Sequence, residues 1–134
     1  MDKIDVGSAS PLFIVRNVPK TLAYYREKLG FDVTFEGPEP DDIFFGIVKR
    51  GEAMFMFKDV DVDPVPNFTR DISHGIASWD AYVYVADPDA LYDEFASRGV
   101  DFKMPLCNNS DNLPGFEVRD NNGYIVYFGR PNQT

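Results

Sequence analysis

Two side chains in this sequence could act as a nucleophile or as an acid–base group near neutral pH, the single cysteine Cys107 and the single histidine His74. A reactive thiolate needs a nearby cation or a helix N-terminus to lower its pKa, and the neighbours of Cys107 are Leu106, Asn108 and Asn109. His74 lies in a stretch without helix or strand periodicity, where it is either a surface residue in a turn or a contact at the rim of a ligand site. Neither residue by itself indicates a catalytic centre.

Composition and charge exclude several classes of protein. The 134 residues include 13 Lys and Arg and 22 Asp and Glu, which gives a net charge of −9, and 44% are hydrophobic. These values are typical of one globular domain. The acidic balance disfavours nucleic-acid binding, which depends on Lys and Arg, and it would attract cationic ligands. The apolar runs are shorter than the ~18 residues of a membrane span, so we expect no membrane association.

The N-terminal residues and the cysteine content indicate a compartment. Met1–Ser8 has neither the basic region nor the apolar region of a secretory signal. A lone cysteine cannot form an internal disulfide. We therefore expect a cytoplasmic protein with a reduced thiol.

The elements that must position any site occur twice along the chain. Val15–Val33 and Val85–Phe102 both read as strand, capped helix, glycine and strand, with Asn17 and Asp87 as the capping residues. Three strand-like runs follow each helix. These runs are Phe31–Glu36, Ile43–Lys49 and Ala53–Lys58 in the first half, and Asp101–Met104, Gly115–Asp120 and Tyr124–Gly129 in the second. The pattern predicts an α+β protein built from two tandem βαβββ modules.

We expect one domain over residues 1–134, with module one at about 10–58, a linker at about 59–78 and module two at about 79–131. The segment Gly37–Asp42 contains two prolines and is predicted to be a turn. The linker also contains two prolines and little periodicity, which favours a loop that crosses between the modules.

The duplicated pattern resembles the vicinal oxygen chelate superfamily, which includes glyoxalase I, extradiol dioxygenases and bleomycin resistance proteins. The resemblance extends from about Pro11 to Pro131. It is carried by Val15–Val18, Leu22–Tyr25, Leu29–Phe31, Leu91, Gly99–Val100 and Phe116–Tyr124. It implies a curled mixed sheet around a groove.

The resemblance also locates where metal-dependent members of the superfamily carry His, Gln or Glu ligands. Those positions fall on Ser10 or Pro11, Phe55, Asp80 and Tyr127 of this chain. Only Asp80 is a good ligand, whereas a catalytic divalent metal needs three or four converging N, O or S atoms. We therefore predict no metal site, no cofactor and no catalytic residue, and the resemblance is strongest to the metal-free bleomycin resistance proteins.

These positions indicate which strand faces line the groove, because alternate side chains on a strand point to opposite faces. Tyr82 and Tyr84 share the face of Asp80, and Phe57 shares the face of Phe55, whereas Met54 and Met56 are expected in the core. Trp79 is expected at the rim, and Phe44 or Phe45 adds a ring from the third strand. The predicted ligand-binding residues are Phe45, Phe55, Phe57, Trp79, Asp80, Tyr82, Tyr84 and Tyr127.

Bleomycin resistance proteins are dimers that hold a cationic antibiotic in clefts between subunits and leave it unaltered. The resemblance therefore implies a homodimer that sequesters a flat, cationic small molecule, with Asp80 as a polar or charged anchor. In several relatives the N-terminal strand exchanges between subunits at a proline, a position occupied here by Pro11.

Two other interpretations remain open at this point. One is an enzyme of the same fold, either with unusual metal ligands or with Asp80 as general base and Tyr82 or Tyr127 as acid. The other is a duplicated domain that binds another protein. Metal analysis separates the metal-dependent enzyme from the binding protein.

Overall fold

The chain folds into two four-stranded sheets, each with one helix packed against it. The computed structural model describes residues 3–69, 79–108 and 114–131. The first sheet is built from β1 (Leu12–Ile14), β2 (Asp32–Glu39), β3 (Asp42–Arg50) and β4 (Ala53–Lys58), with α1 (Val18–Glu27) after β1. The second is built from β5 (Ala81–Tyr84), β6 (Phe102–Asn108), β7 (Pro114–Arg119) and β8 (Ile125–Gly129), with α2 (Pro88–Ser97) after β5.

The two sheets have the same topology. Their strand orders are β1-β4-β3-β2 and β5-β8-β7-β6, and the first strand of each sheet runs parallel to the last. A short 3₁₀ turn, Asn67–Thr69, follows the first sheet. The predicted tandem βαβββ architecture is confirmed.

Both helices begin at the predicted caps. The side chain of Asn17 accepts a hydrogen bond from the Lys20 N–H at 3.0 Å, and the side chain of Asp87 accepts one from the Ala90 N–H at 3.1 Å. Each helix has a proline in its first turn, where a missing N–H costs little. Gly99, after α2, has a φ of +75°, which a glycine adopts without steric cost.

The turn predicted at Gly37–Asp42 is shorter in the structure, so its predicted bounds are wrong. β2 continues to Glu39, and Pro38 pairs with Ile43 after a shift of register. Proline is tolerated here because β2 is an edge strand, where one side of the backbone needs no partner. Only two residues, Pro40 and Asp41, separate the strands. In the second sheet, β6 likewise extends to Asn108, beyond the predicted end at Met104.

The first sheet buries one face beneath α1. Leu22 of α1 lies against Gly46 so closely that a Cβ at Gly46 would be 2.7 Å from a Leu22 methyl group. Phe57 pairs with Gly46 across the strands and is fully buried, and its ring centroid is 4.8 Å from that of Tyr25. This face contributes to a single hydrophobic cluster that also includes Phe95 and other residues of the second sheet and its helix.

The face of β4 assigned to Phe55 and Phe57 from the sequence is therefore wrong. Both rings lie in the core beneath α1, with 1% and 0% of their surface exposed, and Met54 and Met56 lie on the opposite face and are half-buried. The physical reason is volume, because aromatic rings fill the gap between the sheet and α1. Phe55 packs edge to face with Phe31 and lies tilted against Tyr25. We call the opposite face the outer face of the first sheet; its residues are Leu12, Phe35, Phe45, Ile47, Met54 and Met56.

Hydrogen bonds and ion pairs join the two modules. The Tyr25 hydroxyl donates to Asp120 Oδ2 at 2.7 Å, and the Tyr124 hydroxyl donates to the Ile14 carbonyl at 2.6 Å. On the other side of the molecule, both terminal nitrogens of the Arg50 guanidinium donate to the Glu94 carboxylate at 2.8 Å. Such bidentate pairs fix geometry as well as adding energy.

Within the described residues, neither α1 nor α2 is long and apolar enough to cross a lipid bilayer.

Candidate functional site

Three of the predicted rings come together on one face of the second sheet. Tyr82 of β5 and Tyr127 of β8 are register partners, and their rings stack with centroids 5.5 Å apart. Trp79, just before β5, lies 5.1 Å from Tyr127 and 6.2 Å from Tyr82. We call Trp79, Tyr82 and Tyr127 the aromatic cluster. Trp79 is 39% exposed and Tyr82 is 36% exposed, so two of its rings are available to a flat ligand.

The aromatic cluster lies on the face of the second sheet that points away from the core. Val126 and Phe128, which flank Tyr127 in β8, belong to the hydrophobic core, and so do Phe116 and Val118 in β7. Strand alternation therefore places Tyr127 on the opposite face. We call this face the outer face of the second sheet. Tyr82 and Tyr127 share it, as the sequence predicted from the alternation of side chains in β5 and β8.

Two glycines make room for the third ring. Gly115 and Gly129 pair across β7 and β8, and a Cβ on either would lie 2.9 Å or 2.8 Å from Tyr127 Cε1. The Tyr127 ring therefore rests directly on bare backbone, and only 1% of its surface is exposed. A ring held in this way loses little rotational freedom when a ligand binds, which favours affinity.

The exposed Tyr82 of β5 presents a neutral hydroxyl group. Burial raises the pKa of Tyr82 above its usual value, and the neighbouring Tyr84 raises it further. Tyr82 is therefore protonated at neutral pH and can donate a hydrogen bond. Tyr84 follows on the same face and is 64% exposed.

A cleft of about 600 Å³ opens between β4 and β5. Phe31, Phe55, Phe95 and Phe128 are among its apolar lining residues. Charged and hydroxyl groups are supplied by Arg50, Glu52, Tyr82 and Tyr84. The volume lies within the range typical of small-molecule sites, which are mainly apolar with a few polar groups. Tyr82 belongs both to this cleft and to the aromatic cluster, so the two form one continuous surface.

Asp80 supports the backbone around the aromatic cluster. Its Oδ1 accepts a hydrogen bond from the Asn67 N–H at 2.7 Å, and its Oδ2 accepts one from the Ile125 N–H at 2.8 Å. The Asp80 N–H donates to the Ile125 carbonyl at 2.7 Å. Both carboxylate oxygens thus hold the start of β8 against the loop that precedes β5. A contact between Asp80 and a ligand stays a prediction.

The other predicted residues lie in different places. Phe45 lies on the outer face of the first sheet, 5.9 Å from Phe35 between ring centroids. Phe57 is in the core, and Phe55 is also a core residue although it lines the cleft. His74 lies outside the described residues.

The sequence prediction omitted one ion pair on the outer face of the second sheet. Glu117 of β7 is the register partner of Tyr127, and its Oε1 lies 3.6 Å from the Lys103 ammonium nitrogen. The signal was present in the sequence, because the Asp120–Gly123 turn sets the β7–β8 register that brings Glu117 opposite Tyr127.

The donor set does not fit the metal that the superfamily resemblance implies for its metal-dependent members. Asp80 is committed to two backbone N–H groups, Phe55 is in the core and Tyr127 rests on glycines. Over residues 3–69, 79–108 and 114–131, no group of three His, Cys, Asp or Glu side chains is placed to hold a metal ion. We derive no step through a metal.

The carboxyl group best suited by pKa to act as a base is Asp120, and it lies away from the cleft. Burial raises its pKa from 3.8 to about 6, although hydrogen bonds from Tyr25 and the backbone oppose the rise. Asp120 is 5% exposed and accepts hydrogen bonds from Tyr25 and from the N–H groups of Asn122 and Tyr124. These contacts give it a structural role between the modules.

Comparison with known proteins identifies the family. The family model for the Glyoxalase/Bleomycin resistance protein/Dioxygenase superfamily matches residues 7–128. The chain belongs to this superfamily. A search of the curated proteins found no match.

Solved structures with the same fold include bleomycin-binding proteins. The bleomycin-binding protein from bleomycin-producing Streptomyces verticillus, complexed with copper(II)-bleomycin, is 28% identical with a TM-score of 0.67, over 99% of this chain and 100% of that chain. A second bleomycin-binding protein, complexed with bleomycin, is 17% identical with a TM-score of 0.70, over 95% of this chain and 100% of that chain. TioX from Micromonospora sp. ML1 is 19% identical with a TM-score of 0.70, over 92% and 98%.

Proposed function

We propose that this chain is a metal-independent binding protein that sequesters a flat, cationic small molecule of the bleomycin type without altering it. The observation that carries the proposal is the aromatic cluster, with its two exposed rings, Trp79 and Tyr82, continuous with a cleft of about 600 Å³. Stacking on such rings contributes about 0.5–1.5 kcal/mol per contact, and cation–π contacts contribute about as much. Micromolar binding corresponds to about −8 kcal/mol, so contacts with these two rings supply part of it and burial of apolar ligand surface in the cleft supplies the rest.

Charge and similarity support the same ligand class. The net charge of −9 produces a field that raises the local concentration of cations. The Streptomyces verticillus protein, complexed with copper(II)-bleomycin, matches the chain over its whole length.

We propose that the functional unit is a homodimer. Large apolar side chains are exposed on the outer faces of both sheets, among them Leu12 at 49%, Phe35 at 45% and Trp79 at 39%. Exposed apolar side chains that cluster on a surface often mark an interface, and a second copy of the chain could cover these. The arm before β1 carries Ile4 and Val6, both 92% exposed, and exchange of this arm at Pro11 would bury them on the partner.

The experiment is a titration of purified, metal-analysed protein with copper-free bleomycin. Trp79 is the single tryptophan, so its fluorescence reports on the aromatic cluster. We expect saturable quenching and a rise in melting temperature, because a ligand that binds only the folded state stabilises it. Tyr82→Leu should weaken binding about 3- to 10-fold, the equivalent of one stacking contact.

Phe44→Ala is the matched control, because Phe44 is 39% exposed on the first sheet and lines neither the aromatic cluster nor the cleft. It should leave the dissociation constant unchanged. Sedimentation of the same samples tests the homodimer. Absence of quenching and of any thermal shift would contradict the binding proposal, and stoichiometric tightly bound metal would favour the enzyme interpretation instead.

A further inference from the structure

A carboxylate, Glu117, and an ammonium, Lys103, lie next to the aromatic cluster on the outer face of the second sheet. Tyr82, Tyr127 and Glu117 occupy matching register positions on β5, β8 and β7. Register partners on neighbouring strands point to the same face, with Cβ atoms about 5 Å apart. The Glu117 side chain therefore lies beside the Tyr127 ring, and Lys103 of β6 lies beyond it.

The Glu117–Lys103 pair is partly buried and loosely joined. The Glu117 side chain is 13% exposed and the Lys103 side chain is 22% exposed. Their separation of 3.6 Å is longer than a hydrogen bond between charged groups, which is about 2.7–2.9 Å. A carboxylate so far removed from water requires a cation beside it, and Lys103 provides that cation through a flexible side chain.

Among the described residues, two carboxylates near the aromatic cluster are engaged very differently. Asp80 is held by two backbone N–H groups at 2.7 Å and 2.8 Å, which cannot leave without opening the start of β8. Glu117 is held by a lysine ammonium, which can swing into solvent at the cost of a single weak contact. Glu117 is therefore the acid on this face that can change its cationic partner without a change in the fold.

We propose that Glu117 selects for a positive charge on the ligand, and that the ligand's cation takes the place of the Lys103 ammonium beside it. This inference rests on the proposed function, because it requires a flat ligand on the aromatic cluster. A cation that replaces the Lys103 ammonium contacts the Glu117 carboxylate, which lies on the same face as Tyr82 and Tyr127. Cationic compounds should therefore be preferred over neutral compounds of the same shape.

The test compares two flat probes of equal size at pH 7.5, N-methylquinolinium, which carries a fixed charge, and quinoline, which is neutral. We expect Glu117→Gln to weaken N-methylquinolinium binding about tenfold and to change quinoline binding less than twofold. Lys103→Met removes the competing ammonium, and we expect it to tighten N-methylquinolinium binding several-fold. Melting temperatures of all variants confirm folding.

Glu39→Gln is the matched control. It removes the same charge at an exposed position at the end of β2, away from the aromatic cluster and from the residues that line the cleft, so it reports the long-range field without a local contact. Equal losses in Glu117→Gln and Glu39→Gln, or equal losses for both probes in Glu117→Gln, would overturn the selection by Glu117 while leaving the binding function intact. If the unaltered protein binds neither probe nor copper-free bleomycin, the proposed function fails and this inference fails with it.

Discussion

The buried carboxyl group of Asp120 should make the protein less stable as the pH rises from acid to neutral. Its pKa is raised from 3.8 to about 6, chiefly by burial, and it is 5% exposed. The folded state therefore binds a proton between these two values that the unfolded state has lost. Stability from this group is fully present below pH 3.8 and is lost as the pH rises through 6.

The size of the effect follows from the difference between the two pKa values. One pKa unit corresponds to about 1.4 kcal/mol, so the full change is about 3 kcal/mol, of which about 2 kcal/mol falls between pH 4.5 and pH 7.5. Asp120→Asn removes the titration but keeps the hydrogen bonds. The amide oxygen can still accept from the N–H groups of Asn122 and Tyr124, and the amide nitrogen can donate to the Tyr25 oxygen.

The assay is urea unfolding of the unaltered protein and of Asp120→Asn at both pH values. The stability of Asp120→Asn relative to the unaltered protein should increase by about 2 kcal/mol between pH 4.5 and pH 7.5. Asp41→Asn makes the same change of charge at an exposed turn position and should give a constant difference. A difference between the unaltered protein and Asp120→Asn that varies by less than ~0.5 kcal/mol would refute the reasoning.

Two further variants test the packing and the junction between modules. Gly115→Ala should lower the free energy of unfolding by about 3 kcal/mol or more in urea titrations. The added Cβ would collide with the Phe128 carbonyl and lie 2.7 Å from the Gly129 Cα. Gly7 has open space around it, so Gly7→Ala should have no effect. Glu94→Gln breaks the bidentate pair with Arg50, whose side chain is 36% exposed. Because solvent screens this pair, its loss should lower the free energy of unfolding by about 1 kcal/mol, which is about 3 °C in melting temperature at pH 7. Arg50 lowers the pKa of Glu94, so this stabilisation is lost as the pH falls, and a loss that persists unchanged at pH 3 would argue against the ion pair.

The fold could be predicted because its signals are local and occur twice. Asn17 and Asp87 cap their helices through their own side chains, and the repeated order of strands follows from alternation and turns. The extent of β2 could not be predicted in the same way. Pro38 is a turn signal in isolation, and only its position on an edge strand, a tertiary property, allows it to remain paired with Ile43.

The face of β5 could be predicted because its residues alternate clearly along the strand. Small residues separate the tyrosines of β5, so the parity of Tyr82 was unambiguous. β4 instead places large apolar residues at every position from Met54 to Phe57, and composition alone cannot say which pair faces α1. The choice depends on Leu22 and Gly46, which meet only in the folded state.

On the second sheet, an aromatic face occupies the positions where a metal centre would require side-chain donors. By the superfamily resemblance, the positions of Asp80 and Tyr127 are those that carry ligands in metal-dependent members. Here Asp80 is committed to the backbone of β8, and the Tyr127 ring occupies the space above Gly115 and Gly129. The ring and the two glycines are sterically coupled, because a side chain at either glycine would displace the ring. Tyr127→Glu would therefore add one carboxylate above an empty depression on the sheet without creating a metal site, and the same substitution would remove the ring against which Trp79 and Tyr82 pack.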